Sequence, residues 1–311
     1  MYKTFFHQHS AQFGDIPYNT WGLTITLAFI FAAMVAHARA GRVGIDPDKL
    51  VGMYLLAVIG GLGGARLLHL AMSDDRQEFF AHPAMYFNLS RGGFAFYGGF
   101  IAAGLASIGY AQWQKIPTLK MADALGPTVM LGLAIGRVGC FMAGCCHGRA
   151  VDVPQNAIAL LPASWGPQLW AVPGPPFLIE MMVDGVGENH VPVLATQVYE
   201  IFAATFIFLF TSWAWARWRR FDGQIIGMVL MMYSLWRPFN ESLRGDTVRG
   251  TGYSVAGISL STSQVVSIPV FLFGLAIVLA RFRYGVAPEK PFEARGPEGE
   301  GPDIGQSAPR L

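Results

Sequence analysis

The chain has 311 residues, of which 53% are hydrophobic and only 14% charged, with a formal net charge of +2. About a quarter of an average soluble domain is charged, so this balance argues against a soluble domain and for a lipid environment. So small a net charge also argues against a nucleic-acid partner, which would be met by a strongly basic surface.

Residues 1–19 are polar and mixed, and apolar runs then lie near 20–38, 51–72, 93–112, 121–143, 196–216, 224–241 and 263–282. Each is close to the ~20 residues that cross a ~30 Å hydrocarbon core. The expected fold class is therefore all-α, a polytopic membrane protein with about seven transmembrane helices. Its domain plan would be an outer-face segment 1–19, a transmembrane domain 20–286 and a tail 287–311.

Orientation follows from the basic residues, because short basic loops stay cytoplasmic. Arg39, Arg42 and Lys49 follow the first run, Lys115 and Lys120 the third, Arg217, Arg219 and Arg220 the fifth, and Arg281, Arg283 and Lys290 the seventh. The N-terminus is expected outside and the C-terminus in the cytoplasm of a bacterial inner membrane. Ala38-Arg39-Ala40 has the form of a signal-peptide cleavage site. The polar lead before it, with Asp15 and a single lysine, makes a poor n-region, so the first helix is expected to stay in place.

The proline-rich stretch 149–195 holds Trp165, Trp170 and Pro173-Gly174-Pro175-Pro176. On this topology it is an outer-face loop. It reads either as a shelf over a lipid-facing site, with tryptophans at headgroup level, or as an irregular surface loop with no direct role. From Ala287 to Leu311 the composition turns to Pro, Gly, Glu and Asp, and a disordered cytoplasmic tail is expected.

Arg137 sits within Leu131-Gly-Leu-Ala-Ile-Gly-Arg137, a cation in an otherwise apolar run. A guanidinium at membrane depth costs about 3 kcal/mol even on lenient scales, so it calls for an anionic partner or ligand. Arg66, Asp123, Glu200, Arg237, Glu241 and Arg244 also lie in or beside predicted spans. Glu241 is four residues after Arg237 and three before Arg244, which places the three near one helix face. Arginine's rigid fork suits phosphate oxygens. A structural reading remains beside the functional one, in which Arg137 pairs with Glu200 or Glu241 to fix helix register. The glycine clusters Gly60-Gly61-Leu62-Gly63-Gly64 and Arg91-Gly92-Gly93 through Tyr97-Gly98-Gly99 fit either close helix packing or backbone amides open to a ligand.

Taken together, these residues resemble the prolipoprotein diacylglyceryl transferases. The likeness rests on Gly136-Arg137-Val138-Gly139-Cys140-Phe141 with Gly144 and Gly148 beyond, Gly64-Ala65-Arg66-Leu67, Arg91 through Gly99, Thr196-Gln197-Val198-Tyr199-Glu200, Arg237 through Glu241 to Arg244 and Asp246, and Ser261 through Pro269. The resemblance implies transfer of the diacylglyceryl group of phosphatidylglycerol to the lipobox cysteine of a preprolipoprotein, with no cofactor and no metal. It implies catalytic roles for Arg137, Arg237, Glu241, Glu200 and the position of Tyr97. Arg137, Arg244, Arg66, Gly98, Gly99 and Gly148 would contact the substrate.

Three positions depart from the family pattern: Tyr97 stands for its histidine, Cys140 for its asparagine and Cys145 for a glutamate. A tyrosine with pKa near 10 is a poor base at neutral pH, so His147, Glu200 and Glu241 are the candidates to replace it. Cys140, Cys145, Cys146 and His147 raise a metal or disulfide alternative, against which stand their adjacency and the lack of a second Cys-x-x-Cys half. A divergent member using another acceptor and a lipid-binding protein without turnover are further readings.

Overall fold

The computed structural model describes residues 4–10, 14–43, 45–72, 81, 95–152, 156–160, 169–171, 177–182, 190–244, 253–255 and 258–284. Arg91, Gly92, Gly93, Trp165, Pro173 to Pro176, Asp246 and the tail 287–311 lie outside them. Each apolar run forms a helix: α1 (Thr20–Ala40), α2 (Pro47–Met72), α3 (Phe96–Trp113), α4 (Thr118–Ala143), α5 (Thr196–Trp218), α6 (Gln224–Ser242) and α7 (Thr262–Tyr284). Five contain stretches long and apolar enough to cross a membrane, namely Gly22–Ala40, Pro47–Met72, Thr118–Ala143, Thr196–Trp218 and Ser263–Ala280. α6 falls short because one of its faces is polar. In α3 the side chains of Phe96 and Tyr97 lie outside the described part.

The bundle is inverted relative to a soluble protein. Phe29, Met34, Leu55, Ile59, Leu62, Phe202, Phe206, Leu272 and Phe273 point outward, while Asp123, Gln197, Glu200 and Thr211 are fully buried. Apolar side chains solvate well in acyl chains and polar ones must find partners inside. α4 occupies the middle and packs on α1, α5 and α6, whereas α2 pairs with α3 and α6 with α7.

Glycines set the α2–α3 contact. A Cβ at Gly98 would fall 2.4 Å from the Gly64 carbonyl oxygen and 2.5 Å from Leu68 Cβ, and one at Gly99 would fall 2.9 Å from the Gly61 oxygen. Only hydrogen at these positions lets the two backbones approach this closely.

The fold is not helical throughout. β1 (Thr4–Ser10) and β2 (Gly14–Asn19) form an antiparallel hairpin, as do β7 (Tyr253–Val255) and β8 (Ile258–Leu260). The stretch expected as an outer-face loop carries β3 (Ile158–Ala159), β4 (Leu169–Ala171), β5 (Phe177–Met182) and β6 (His190–Leu194), an antiparallel sheet in that order with Leu178 opposite Leu194 and Met182 opposite His190. Its described part is therefore mostly regular sheet and not irregular loop. β5 and β6 bury Leu178, Ile179, Val193 and Leu194 in one cluster with Tyr199 of α5, against Phe141 of α4 and Trp236 of α6. Each such side chain contributes about 1.5–3 kcal/mol when fully buried. The sheet therefore sits as a cap across the ends of three helices, and the Tyr199 hydroxyl donates to the Phe177 carbonyl at 2.6 Å to fix it there.

Candidate functional site

Under that cap, three helices bring charged side chains to one depth. Arg137 lies six residues before the end of α4, Glu200 four after the start of α5 and Arg237 five before the end of α6. At 1.5 Å per residue all three stand about 6–9 Å in from the sheet end of the bundle. On α6, Tyr233, Trp236, Arg237, Asn240 and Glu241 recur at helical spacing and so share one face.

Glu200 is the acceptor on which that face converges. It has no solvent-exposed surface. Its Oε1 accepts from the Tyr233 hydroxyl at 2.9 Å, and its Oε2 accepts from the Trp236 indole nitrogen at 3.1 Å and from Asn240 Nδ2. Arg237 Nη1 stands 4.0 Å from Oε2, while its Nη2 donates to Glu241 Oε2 at 2.5 Å. Arg137 acts electrostatically on Glu200, Tyr233, Cys140 and Cys146. A buried carboxylate is tolerable only when paired and hydrogen-bonded, and Glu200 is both. With its oxygens so occupied it is poorly placed to accept a substrate proton. It lies beside the Arg237 guanidinium and in the field of Arg137.

Positive charge gathers here: Arg137 acts on Glu200, and Arg237 lies beside both Glu200 and Glu241. Among the described residues Arg237 Nη1 is buried without a hydrogen-bond partner, Glu200 Oε2 standing 4.0 Å from it. That nitrogen is a ready donor for an oxyanion.

The strap after α4 completes the site. The helix ends at Gly144, whose φ of 72° is the left-handed conformation, with Gly144 N–H donating to the Phe141 carbonyl and Cys145 N–H to the Cys140 carbonyl. This is a Schellman ending, for which glycine carries no Cβ penalty. Cys146 also has positive φ, 66°, at a cost of about 1–2 kcal/mol for a residue with a side chain. Two buried α5 residues hold it there: Thr196 Oγ1 donates to the Cys146 carbonyl and Gln197 Nε2 to the Cys145 carbonyl, each at 2.7 Å. Gly148 then enters a gap between β6 and the end of α6, where a Cβ would lie 2.5 Å from Leu194 Cβ and 2.8 Å from the Leu243 oxygen.

The three cysteine sulfurs, Cys140, Cys145 and Cys146, lie within 4.8 Å of one another. Hydrogen bonds from Cys140 and Cys145 hold the Cys146 thiol well below its ordinary range, with Arg244 and Arg137 adding to the effect. The contacts with Cys140 and Cys146 push Cys145 up. His147 Nδ1 is 2.9 Å from the Gly148 carbonyl oxygen, an acceptor that keeps a proton on Nδ1 and leaves Nε2 as the basic nitrogen.

The expected site residues therefore divide. Arg137, Glu200, Arg237 and Glu241 come together, and Arg244 and Gly148 meet in an antiparallel bridge at the edge of the same group. Gly98 and Gly99 are accounted for by the α2–α3 contact. Arg66 is buried on α2, six residues from its end. Tyr97 stands in the first turn of α3, its side chain outside the described part. Asp123 is structural: it accepts from the backbone N–H groups of Gly223 and Ile226 at 2.9 Å each and pairs with Arg219 at 3.5 Å, capping the opposite end of α6. Sequence reasoning missed Tyr233, Trp236 and Asn240, which their spacing from Arg237 and Glu241 would have flagged.

Comparison with known proteins identifies the family. Residues 8–280 match the family described as prolipoprotein diacylglyceryl transferase. The chain is 26% identical to the phosphatidylglycerol–prolipoprotein diacylglyceryl transferase of Clostridium tetani, over 85% of this chain and 93% of that protein. It is 28% identical to the Corynebacterium efficiens protein of the same name, over 90% and 82%, and 29% identical to that of Burkholderia orbicola, over 87% and 92%. The chain belongs to the prolipoprotein diacylglyceryl transferase family.

Proposed function

We propose that this protein transfers the diacylglyceryl group of phosphatidylglycerol to the thiol of a lipobox cysteine in preprolipoproteins. The thiolate sulfur forms a bond to the terminal glyceryl carbon, the carbon–oxygen bond to phosphate breaks, and glycerol phosphate leaves. The observation that carries the reading is the arginine-rich group at one depth under the sheet, with Arg237 Nη1 open to an oxyanion. Arg137 and Arg237 would clamp the lipid phosphate and stabilise charge on the leaving group, an electrostatic contribution that grows in a water-poor site. Arg244 and Arg66 would extend the contact, and Glu200 and Glu241 would keep the arginines aimed.

The acceptor thiol must lose its proton, and its free pKa is near 8.5. Tyr97 is a weak base and the oxygens of Glu200 are occupied, so His147 Nε2 is the better placed group. All seven helices would span the inner membrane, with the N-terminus and the sheet outside and the tail in the cytoplasm. There the sheet would form a shelf at headgroup level beside the phosphate site. A reconstituted assay tests the reading: purified protein, phosphatidylglycerol in detergent micelles and a synthetic lipobox peptide, followed by mass. The peptide should gain one diacylglyceryl group, and a peptide with Cys→Ser should gain none. Binding of phosphatidylglycerol without any mass gain would instead favour a lipid-binding protein.

A further inference from the structure

We propose that Cys140, Cys145 and Cys146 form a binding site for one thiophilic metal ion, best matched to monovalent copper held by three thiolates. Adjacent cysteines in an extended chain point to opposite faces, which is why the sequence alone argues against a shared ligand set. The fold removes that objection. The Schellman ending at Gly144 turns the chain back on the last turn of α4, and the left-handed backbone at Cys146 redirects its side chain, so all three sulfurs fall within 4.8 Å of one another.

The spacing fits a metal. With a metal–sulfur bond of about 2.3 Å, a trigonal site needs sulfurs roughly 4.0 Å apart, so closure requires movements of about 1 Å or less. Closure demands little of the backbone, because Thr196 and Gln197 already hold the Cys145 and Cys146 carbonyls from fully buried positions. Softness then selects the ion: three sulfur donors favour monovalent copper over harder cations. Among the described residues His147 is the next donor in the chain, and its Nδ1 is engaged with Gly148. Arg137 and Arg244, which already act on the Cys146 sulfur, would balance the negative charge of a trithiolate complex. This cluster adjoins the lipid-transfer group, with Arg137 and Arg244 between them, so its test reads metal rather than turnover.

The reduced protein, purified in detergent, is titrated with monovalent copper against a colorimetric chelator, and sulfur-to-metal absorption is recorded. One equivalent should bind, and Cys145→Ser, Cys146→Ser and Cys140→Ser should each weaken binding by about 100-fold or more, since even supporting groups around a metal are worth 10–100-fold. Cys145 is exposed, so its serine variant keeps the fold and makes the comparison secure. Copper binding unchanged in that variant, or absent from the wild type, overturns the proposal. Isolation from membranes with two of the three thiols joined in a disulfide that excludes copper overturns it as well.

Discussion

Replacing Glu200 by glutamine tests whether this carboxylate anchors the site, because the change keeps the shape and removes only the charge. Glutamine must place an NH2 group where one carboxylate oxygen stood. Oε1 accepts from Tyr233 and Oε2 from Trp236 and Asn240, so an NH2 at Oε2 meets the donor-only Trp236 N–H, and one at Oε1 forces the Tyr233 hydroxyl to turn its proton elsewhere. Leaving one buried donor unmet costs about 1–3 kcal/mol. The loss of counter-charge adds to it: unit charges 4 Å apart attract by about 4 kcal/mol at an effective dielectric constant of 20, and Arg237 lies at that distance. Part of this is returned because the carboxylate no longer has to be desolvated. Removing one partner of a buried pair costs about 3–5 kcal/mol in practice, and that is the loss expected here. Reversible unfolding in mixed detergent micelles, with wild type and Glu200→Gln side by side, measures it. A loss below about 1 kcal/mol would mean that the arginines are not held by Glu200, and the assignment of Glu200 as anchor would be wrong.

Arg237→Lys keeps the charge but loses the planar fork, and should lower turnover by about 100-fold or more, in line with the loss of one oxyanion donor elsewhere; turnover within threefold of wild type would remove Arg237 from the phosphate site. Gly98→Ala pushes a Cβ against the Gly64 oxygen and Leu68 and should destabilise the protein by about 1–3 kcal/mol, the usual result of overpacking. An unchanged melting temperature would show that the two helices part without cost. Asp123→Asn turns an amide NH2 toward one of two backbone donors and should cost about 1–3 kcal/mol while leaving turnover per folded molecule unaltered. A selective loss of turnover would place Asp123 in the chemistry.

The helices were legible because each is a long apolar run, and lipid imposes that pattern more strictly than a soluble core does. Polar positions such as Arg137 and Glu200 stood out for the same reason. The sheet was not legible: Phe177-Leu-Ile-Glu-Met-Met182 lacks the alternation of a strand with one wet face, because Leu178 and Ile179 are both buried. Its register also depends on pairing with His190–Leu194 across the polar, glycine-containing stretch 183–189. The sulfur cluster was hidden because local spacing describes a regular chain, whereas Gly144 and Cys146 adopt left-handed conformations there. Tyr233, Trp236 and Asn240 were open to reading from their spacing on α6, yet Tyr233 and Trp236 are ordinary residues for an apolar helix until Glu200 is placed opposite.

The account turns on Arg137 and the reaction assigned to it. The most direct test expresses the protein in a bacterium depleted of its own diacylglyceryl transferase and follows a model prolipoprotein by mass, with Arg137→Ala as the comparison. The account predicts a gain of one diacylglyceryl group on the lipobox cysteine with wild type and none with the variant, both proteins being folded and inserted. Wild-type levels of modification by Arg137→Ala, or no modification by the wild-type protein, would contradict it.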